Sequence, residues 1–439
     1  MAREMKDSGI EWIGEIPKEW EIRNIRNMFS FGKGLSITKE NLREQGIAVV
    51  SYGQIHSKKN RFYEMSSELI RFVDESYLET NEQSLVNRGD FIFADTSEDV
   101  QGCGNFVYVD RQQVLFAGYH TIILRSLTQK DNKFLAFLFM SDCWRRQIRE
   151  CVNGVKLFSV SQKLIKKTNI LIPSEKERVR IANYLEEYCA AIDNVLEKTR
   201  ASIEEYKRLK QAVITQAVTK GIRSNREMKD SGIEWIGKIP VEWKISQVKY
   251  ALKWKSEKGQ PQEEVLSLYR DYGIVPKDSR DDNHNVTSLD TSGYKVVDIG
   301  DFVINKMKAW QGSMAVSEYR GIISPAYHVC EFINDKFNKK YFHYLMRNKS
   351  YIPEYTRLST GMRVGQWDLG FDDFKNIPIL LPSQKEQKEI VNYLDQKCSA
   401  IDALIAKKEQ YLSEIENYKK SLIYEYVTGK KEVPREYQV

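Results

Sequence analysis

The stretch of 47 residues from Pro173 to Thr219 has no proline or glycine after its first residue, and apolar side chains recur at alternating intervals of four and three residues. This heptad pattern predicts a long α-helix that packs along another helix. Pro173-Ser174 followed by two glutamates is typical of a helix start, and Lys220-Gly221 is typical of a helix end. The predicted seam positions are Ile181, Leu185, Tyr188, Ile192, Val195, Thr199, Ser202, Tyr206, Leu209 and Val213.

A second copy of this stretch, Pro382 to Thr428, aligns with the first without a gap and is identical at 18 of 47 positions. Its seam has the same register and comprises Ile390, Leu394, Lys397, Ile401, Leu404, Lys408, Tyr411, Ile415, Tyr418 and Leu422. One such helix alone would also fit an amphipathic surface helix. Two copies in one chain favour an intramolecular coiled coil, in which Lys397 and Lys408 would place charges on the second seam.

A shorter segment is duplicated almost perfectly, because Arg3–Trp20 recurs as Arg226–Trp243 with only two of 18 positions changed. The chain therefore has the order short repeat, variable module, long helix, and then the same three again. The predicted segments are a repeat at 1–22, a first module at 23–172, a first long helix at 173–221, a linker and second repeat at 222–245, a second module at 246–381, a second long helix at 382–430 and a tail at 431–439.

Each variable module is predicted to be a compact α/β (α+β) domain, since short apolar runs bounded by turn residues indicate strands. In the first module the predicted strands are Gly46–Tyr52, Asp90–Phe93, Asn105–Val109 and His120–Leu124, followed by a helix over Lys133–Cys151. In the second they are Val265–Leu268, Tyr294–Val297, Asp301–Asn305 and Tyr327–Glu331, followed by a helix over Asn338–Lys349. Local similarities, such as Gly89-Asp90-Phe91 with Gly300-Asp301-Phe302 and Tyr119-His120 with Tyr327-His328, indicate one fold that has diverged.

Composition excludes several classes of protein. The chain of 439 residues is 41% hydrophobic, which is enough to form cores, but no apolar run approaches the ~18 residues of a membrane span. Its N-terminus lacks the apolar core of a signal peptide. Its six cysteines are scattered without a CxxC pair, which suits free thiols in a reducing cytoplasm, and no metal-ligand spacing is present.

The positive charge of the chain is concentrated in the two modules. Residues 21–171 contain 21 Lys and Arg against 17 Asp and Glu, residues 244–380 contain 20 against 17, and the remainder contains 26 against 27. Contact with nucleic acid requires basic charge in the modules, although this excess is small. Further phosphate contacts are therefore expected from a partner.

Candidate DNA-contact residues lie in loops that combine basic, amide and glycine residues, because Arg and Lys suit guanine and Asn and Gln suit adenine. In the first module they are Lys33, Ser36, Lys39, Tyr52, Gln54, Lys58, Lys59, Arg61, Asn153 and Lys156. In the second they are Tyr269, Arg270, Lys306, Lys308, Trp310, Gln311, Arg357, Arg363 and Gln366. The alternative for each is a solvated loop residue, and Tyr269 and Trp310 are equally compatible with a core.

A search for catalytic motifs finds none. Gly32-Lys33 and Lys258-Gly259 lack the frame of a P-loop, and neither an NPPY-type motif nor a glycine-rich S-adenosylmethionine loop is present. His56, His120 and His328 are predicted to satisfy local hydrogen bonds rather than to act as bases. The chain is therefore predicted not to be an enzyme and to bind no metal or cofactor itself.

The tandem MKDSGIEWIG segments, the helices with PS–KE–NYL–AID, and the GDFVINKMKAWQG and SPAYHV sequences resemble the specificity (S) subunit of type I restriction-modification systems. The resemblance covers essentially the whole chain. It implies two target-recognition domains that each recognise half of a split double-stranded DNA site, held apart by an antiparallel coiled coil. It also implies two methyltransferase subunits that carry S-adenosylmethionine, and nuclease-translocase subunits that use ATP and Mg²⁺.

Antiparallel pairing of the two helices predicts a pseudo-twofold, cyclic organisation. It would place the modules at opposite ends and bring Val427-Thr428-Gly429 near the N-terminal repeat. Half-sites about one DNA turn apart, ~34–36 Å, would fit such a spacing. The rival interpretations are a stand-alone two-headed DNA-binding regulator and a stand-alone methyltransferase, and the missing cofactor motifs disfavour the latter.

Overall fold

The computed structural model describes residues 3–127, 132–154, 156–270, 272–280, 287–288, 290–361, 367–434 and 437. The chain divides into two compact units, Met1–Thr199 with Tyr411–Val439 and Arg200–Gln410. Each long helix contributes one part to each unit. Each unit therefore contains one short repeat, one variable module and portions of both long helices.

The first unit contains both strands and helices, as predicted for an α/β (α+β) domain. The strands are β1 (Met5–Asp7), β2 (Glu15–Pro17), β3 (Glu21–Asn24), β4 (Phe29–Lys33), β5 (Ile47–Val50), β6 (Arg71–Val73), β7 (Leu85–Val86), β8 (Phe91–Ala94), β9 (Thr96–Ser97), β10 (Phe106–Tyr108), β11 (Leu115–Ala117), β12 (Thr121–Ser126), β13 (Phe158–Ser159) and β14 (Asn169–Ile172). The helices are α1 (Tyr52–Ile55), α2 (Tyr77–Thr80), α3 (Lys133–Met140), α4 (Asp142–Arg149), α5 (Gln162–Ile165) and the long α6 (Glu175–Lys220).

The first module is built on two four-stranded sheets, with orders β4-β12-β8-β10 and β6-β5-β11-β7 among the described residues. The first sheet is antiparallel, whereas β5 and β11 of the second run parallel. Every residue of β8 is buried, and the Phe91 and Phe93 rings pack within 5.0 and 5.7 Å of Phe139 on α3. The apolar run of β8 thus forms the centre of the core. The β3–β14 ladder joins the two ends of the module.

The elements of the second unit repeat this plan. The strands are β15 (Met228–Asp230), β16 (Lys238–Pro240), β17 (Lys244–Gln247), β18 (Leu252–Lys255), β19 (Leu266–Tyr269), β20 (Gly273–Pro276), β21 (Lys295–Val297), β22 (Phe302–Asn305), β23 (Met314–Val316), β24 (Gly321–Ile323), β25 (Tyr327–Phe332) and β26 (Pro378–Leu381). The helices are α7 (Lys339–Met346), α8 (Ile352–Leu358), α9 (Phe371–Phe374) and the long α10 (Gln384–Val427). The antiparallel sheet β18-β25-β22-β23 has the same order as β4-β12-β8-β10, and β17 pairs with β26 as β3 pairs with β14.

Each of the eight strands predicted from the sequence is present, with ends that differ by a few residues. The helix predicted over Lys133–Cys151 is wrong, because it is two helices that meet at Ser141. Ser141 has an extended backbone (φ −73°, ψ 146°), and its hydroxyl donates to the carbonyl oxygen of Leu138 (2.5 Å). Serine competes in this way with the hydrogen bonds that would continue a helix.

The two long helices are antiparallel, as predicted. In the first unit Asp193 pairs with Lys419 (2.6 Å). In the second, Lys408 lies 5.7 Å from the Tyr206 ring and Lys210 pairs with Asp402 (2.6 Å). Residue numbers rise along α6 as those of their partners fall along α10, which only an antiparallel pair allows. The described part of the chain contains no helix long and apolar enough to cross a membrane.

The seam prediction is half wrong. The column that contains Leu185, Ile192 and Thr199 in α6 faces the interior, but the second column is displaced by one residue. Cys189, Leu196 and Ile203 are buried, whereas the predicted Tyr188, Val195 and Leu209 are 37%, 39% and 49% exposed.

The same displacement occurs in α10. Cys398 is buried while Lys397 is exposed, so Lys397 does not lie on the seam, and the predicted Leu404 is 43% exposed. In either helix the second column of the seam can lie three or four residues after the first column, and both arrangements give a heptad pattern. Packing against the partner decides between them. Of the remaining predicted seam residues, Ile181, Ile390, Leu394, Ile401 and Leu422 are buried, and Val213 and Ile415 are half-buried.

Each short repeat packs against the end of one long helix and the start of the other. In the second unit Gly221 ends α6 with φ 78°, and an added Cβ would lie 3.4 Å from Trp243. In the first unit Gly429 follows α10 with φ 70°, and an added Cβ would lie 3.1 Å from Trp20. Glycine is the residue that accepts this left-handed conformation. The predicted proximity of the end of α10 to the N-terminal repeat, and hence the cyclic organisation, is confirmed.

Candidate nucleic-acid interface

Polar residues gather at one end of the first unit's antiparallel sheet. The ladder places Ala94, the last residue of β8, opposite Thr121, and Lys33, the last residue of β4, opposite Ile122. Asp95 and His120 therefore lie at the same end of the sheet as Lys33, and His120 Nδ1 is 3.2 Å from Asp95 Oδ1. We call Lys33, Asp95, His120 and Thr121 the first sheet end.

The short helix α1 brings Tyr52 to the first sheet end. The Tyr52 ring makes edge contacts with His56, Tyr119 and His120 at centroid distances of 6.3, 5.6 and 5.5 Å. Of these residues only Tyr52 was a predicted DNA-contact candidate. Tyr119 and His120 were missed because nothing local in the sequence places them beside residues that are nearly 70 positions earlier.

The second unit has an equivalent sheet end. Asn305, the last residue of β22, lies opposite Tyr327, the first of β25, and Ile304 lies opposite His328. A 3-10 helix, Lys306–Gln311, follows β22 directly and carries four of the predicted candidates. We call Asn305, Lys306, Tyr327 and His328 the second sheet end.

The hydrogen-bond register corrects one similarity that was inferred from sequence. Phe91 pairs with Leu124, and its counterpart Phe302 pairs with Cys330, so Thr121-Ile122 corresponds to Tyr327-His328. The predicted match of Tyr119-His120 with Tyr327-His328 is thus wrong by two residues, because the connecting loops differ in length. By the same register Asp95 corresponds to Lys306, so the two sheet ends carry opposite charges at equivalent positions.

A family model described as the type I restriction modification DNA specificity domain matches residues 17–205 and 240–417. The two matches cover most of the chain, and each contains one variable module and the greater part of one long helix. The chain belongs to this family.

Similar proteins agree with this family over the same length. The chain is 22% identical over 424 residues to a protein described as the type I restriction enzyme MjaX specificity subunit of Methanocaldococcus jannaschii, with 95% of each chain covered. It is 20% identical over 442 residues to the type I restriction enzyme EcoKI specificity subunit of Escherichia coli K12, covering 95% of this chain and 90% of that one.

A solved chain from work on complex assembly and conformational transition of the type I R-M system matches with a TM-score of 0.66 and 17% identity, covering 95% of this chain and 99% of that one. The structural likeness establishes the fold. As a member of a type I specificity family, the chain has a recognition role and not a catalytic one.

Most first-unit candidates of this type I specificity chain are surface residues. Lys33, Ser36, Lys39, Lys58, Lys59, Asn153 and Lys156 are exposed. Lys59 pairs with Glu68 (3.5 Å), and the half-buried Arg61 pairs with Glu64 (3.4 Å). Exposed ion pairs of this kind contribute little, so these side chains can exchange their carboxylates for phosphates at small cost.

Gln54 already uses one of the two groups needed to recognise adenine. Its Oε1 accepts the backbone N–H of Ser51 (3.2 Å), in a capping box that begins α1. Bidentate contact with adenine requires both the amide oxygen and the amide nitrogen. Gln54 is therefore suited to donate a hydrogen bond and not to read adenine by itself.

A partly buried hydrogen-bond chain next to the first sheet end links α1 to β9. Arg145 Nη1 donates to Asn105 Oδ1 (2.7 Å), Asn105 Nδ2 lies 3.1 Å from His56 Nδ1, and His56 Nε2 lies 2.8 Å from the carbonyl oxygen of Thr96. Burial lowers the pKa of Arg145 to about 9. The prediction that His56 satisfies local hydrogen bonds is confirmed. The sequence carries no signal for this network, since its hydrogen-bonded partners are 40 to 49 positions apart.

The second-unit candidates fall into two groups. Lys306, Lys308, Trp310 and Gln311 share the 3-10 helix, where Trp310 Nε1 donates to the carbonyl oxygen of Met307 (3.1 Å). Tyr269 and Arg270 lie at the β19–β20 turn, where the Arg280 guanidinium is 5.4 Å from the Tyr269 ring and 4.0 Å from the Tyr272 ring.

Three further candidates complete the second-unit set. Arg357 is exposed and forms two hydrogen bonds of 2.7 Å with Glu354, which occupy its guanidinium. Arg363 and Gln366 lie outside the described residues.

His328 differs from its prediction. Neither ring nitrogen has a hydrogen-bond partner among the described residues, although the residue is only 8% exposed. Burial, followed by the charges of Lys306 and Lys295, lowers the pKa of His328 to about 4. His328 thus forms no hydrogen bond of normal geometry with a described residue, although a contact with the Leu369 backbone acts to raise its pKa. Among the described residues no group of three or more His, Cys, Asp and Glu could hold a metal ion.

Proposed function

We propose that the chain directs a type I restriction-modification complex to a bipartite double-stranded DNA site, each unit recognising one half and the paired long helices setting the spacer. This proposal depends on one observation: the two units have the same fold, but their sheet ends carry different residues. Both units have the same sheet order, yet Asp95 stands where Lys306 stands. Equivalent frames with different groups at equivalent positions are suited to recognising different base sequences.

The short repeats support binding of two copies of one partner. Packing constrains buried positions, but exposed ones are free to diverge. Glu11 and its counterpart Glu234 are nevertheless identical, exposed and without a hydrogen bond or ion pair among the described residues. We infer that each repeat presents the same surface to one of two methyltransferase subunits.

Catalysis is assigned to those partners. The sequence contains no S-adenosylmethionine loop and no P-loop. We infer that the methyltransferase subunits carry S-adenosylmethionine and methylate adenine, and that nuclease-translocase subunits use ATP and Mg²⁺. The modest positive charge of the modules agrees with this division, because further phosphate contacts would come from the partners.

An exchange of one module tests the proposal. Replacing residues 21–172 with the equivalent module of a relative keeps β3 and β14 together, so the new module brings its own closing ladder. We expect one half of the methylated sequence to change while the other half and the spacer stay the same, as measured by methylome sequencing of cells that contain the partner subunits.

The reciprocal exchange of residues 244–381 is the matched control, because β17 and β26 close the second module in the same way. It should change the other half. A single exchange that altered both halves would refute independent recognition. Tight sequence-specific binding by the chain without partners would favour a stand-alone regulator instead.

A further inference from the structure

Basic side chains gather at the second sheet end. Lys295 is 5% exposed, and its Nζ donates to the carbonyl oxygen of Tyr327 (2.6 Å) and lies 5.8 Å from the centre of the Trp254 ring. An isolated antiparallel bridge pairs Lys258 with Lys295. Lys306 completes the group, since it directly follows the Asn305–Tyr327 pair. We call Lys258, Lys295, Lys306 and His328 the basic cluster.

In the described part of the chain no carboxylate forms an ion pair with a lysine of the basic cluster, and the one opposing charge is that of Asp368, which acts on His328. Burial lowers the pKa of Lys295, and the charges of Lys306 and Lys258 lower it further. The Tyr327 carbonyl satisfies one N–H of Lys295 but does not neutralise its charge, and three lysines without a paired carboxylate are complementary to an anion.

His328 adds a hydrogen-bond donor to the cluster. The residue is more than nine-tenths buried, and its ring makes contacts with Trp254 (6.2 Å) and Phe371 (5.9 Å). Both of its nitrogens lack partners among the residues described. A neutral imidazole donates one N–H without adding a further positive charge to the three lysines.

The fold itself does not require this cluster, as the first unit shows. At the position equivalent to Lys306 the first unit carries Asp95, which faces His120 at 3.2 Å, and the position equivalent to His328 is the apolar Ile122. The same sheet is thus stable without the basic groups. Their presence in one unit only calls for a ligand specific to that unit.

We propose that the basic cluster binds one phosphate of the DNA backbone beside the half-site recognised by the second unit, with Lys306 as the accessible contact and Lys295 and His328 behind it. This inference rests on the proposed function. It predicts that the two units hold DNA unequally, because the first sheet end has the carboxylate of Asp95 where the second has the ammonium of Lys306.

The test compares Lys306→Gln with Lys336→Gln in the complex with its methyltransferase subunits. Lys336 is exposed, lies in the same unit, and its side chain forms no hydrogen bond or ion pair with a described residue. Binding to DNA with the correct site and with altered half-sites is measured by fluorescence anisotropy at several salt concentrations. For Lys306→Gln we expect weaker binding by a similar factor on all these DNAs, and a slope of log Kobs against log salt smaller by about 1.

Lys336→Gln should leave the salt slope of the parent unchanged, because Lys336 lies outside the basic cluster. Lys306→Arg should also give the parent slope, because arginine keeps the positive charge at this position. An unchanged slope in Lys306→Gln would overturn the phosphate site. A loss confined to one base pair of the second half-site would also overturn it, because it would identify Lys306 as a base contact. Absence of site preference in the parent complex would instead refute the proposed function.

Discussion

At the scale of single residues, one carboxylate fixes each short repeat to the start of a long helix, and it is buried in the second unit. Glu386 accepts a hydrogen bond from Trp243 Nε1 (3.0 Å) and forms an ion pair with Arg226. In the first unit Glu177 accepts from Trp20 Nε1 (3.0 Å) and pairs with Arg3 (2.7 Å). The Arg226 and Glu386 side chains are only 9% and 5% exposed, so loss of one partner leaves the other charge buried.

Glu386→Ala is therefore expected to destabilise the second unit by about 3–5 kcal/mol, because it leaves Arg226 without its buried partner and Trp243 without an acceptor. Denaturant unfolding of the full chain measures the change. Glu389→Ala, three residues further along α10, is the matched control. Glu389 pairs with Arg223 (2.8 Å) at the surface, so its removal should change stability little. Equal effects of the two substitutions would show that burial does not decide the outcome.

At the scale of elements, the long helices show what a heptad pattern leaves open. Leu185, Ile192 and Thr199 form one column of the seam, and this column belongs to both the predicted and the observed seam. Apolar residues lie on both sides of this column, as Val195 and Leu196 do, so the sequence fits either stripe. In the structure the side of Leu196 is buried, and Cys189 on that side packs in one core cluster with residues of the first module and of α10. The burial of a helix face depends on what covers it and not on residue size alone.

A pair of identical substitutions on α6 tests this register. Leu196 is 4% exposed and Leu209 is 49% exposed. Leu196→Ala should lower the free energy of unfolding by about 2–5 kcal/mol, since it creates a cavity. Leu209→Ala should stay within about 0.5 kcal/mol of the parent. Denaturant titration of both variants measures the difference, and the reverse order would restore the register predicted from sequence.

At the scale of the whole molecule, both long helices pass from one compact unit into the other. The unit boundary falls after Thr199 in α6 and after Gln410 in α10. If the helices set the spacer, the length of helix between the two modules determines how many base pairs separate the two DNA half-sites.

Insertion of one heptad after Thr199 and one after Gln410 should lengthen both helices by ~10 Å while keeping the seam in register. Since DNA advances ~3.4 Å per base pair, we expect the spacer to grow by up to about three base pairs with unchanged half-sites. Methylome sequencing measures the spacer. Two-residue insertions at the same points rotate the apolar stripe away from its partner and should abolish assembly. An active heptad variant with the parent spacer would exclude the helices as the ruler.

Much of the architecture was predictable because its signals are local or repeated. The helix pair followed from periodicity, the two modules from the duplicated Arg3–Trp20 and Arg226–Trp243 segments, and the core strands from short apolar runs such as Phe91–Ala94. The break at Ser141 was missed because an apolar helical pattern continues on both sides of it.

By itself, the sequence determined the order of segments, the strand-forming runs and the family, since each depends on neighbouring residues or on comparison of one half of the chain with the other. Only the tertiary structure decided which column of each heptad is buried and which residues meet at the two sheet ends. Asp95 meets His120 beside the β8–β12 ladder, and the Lys295 side chain reaches the carbonyl oxygen of Tyr327, although these partners are 25 and 32 residues apart. Register in a sheet is set by the ladder and by loop length together, and a shift of even one residue turns each side chain to the opposite face.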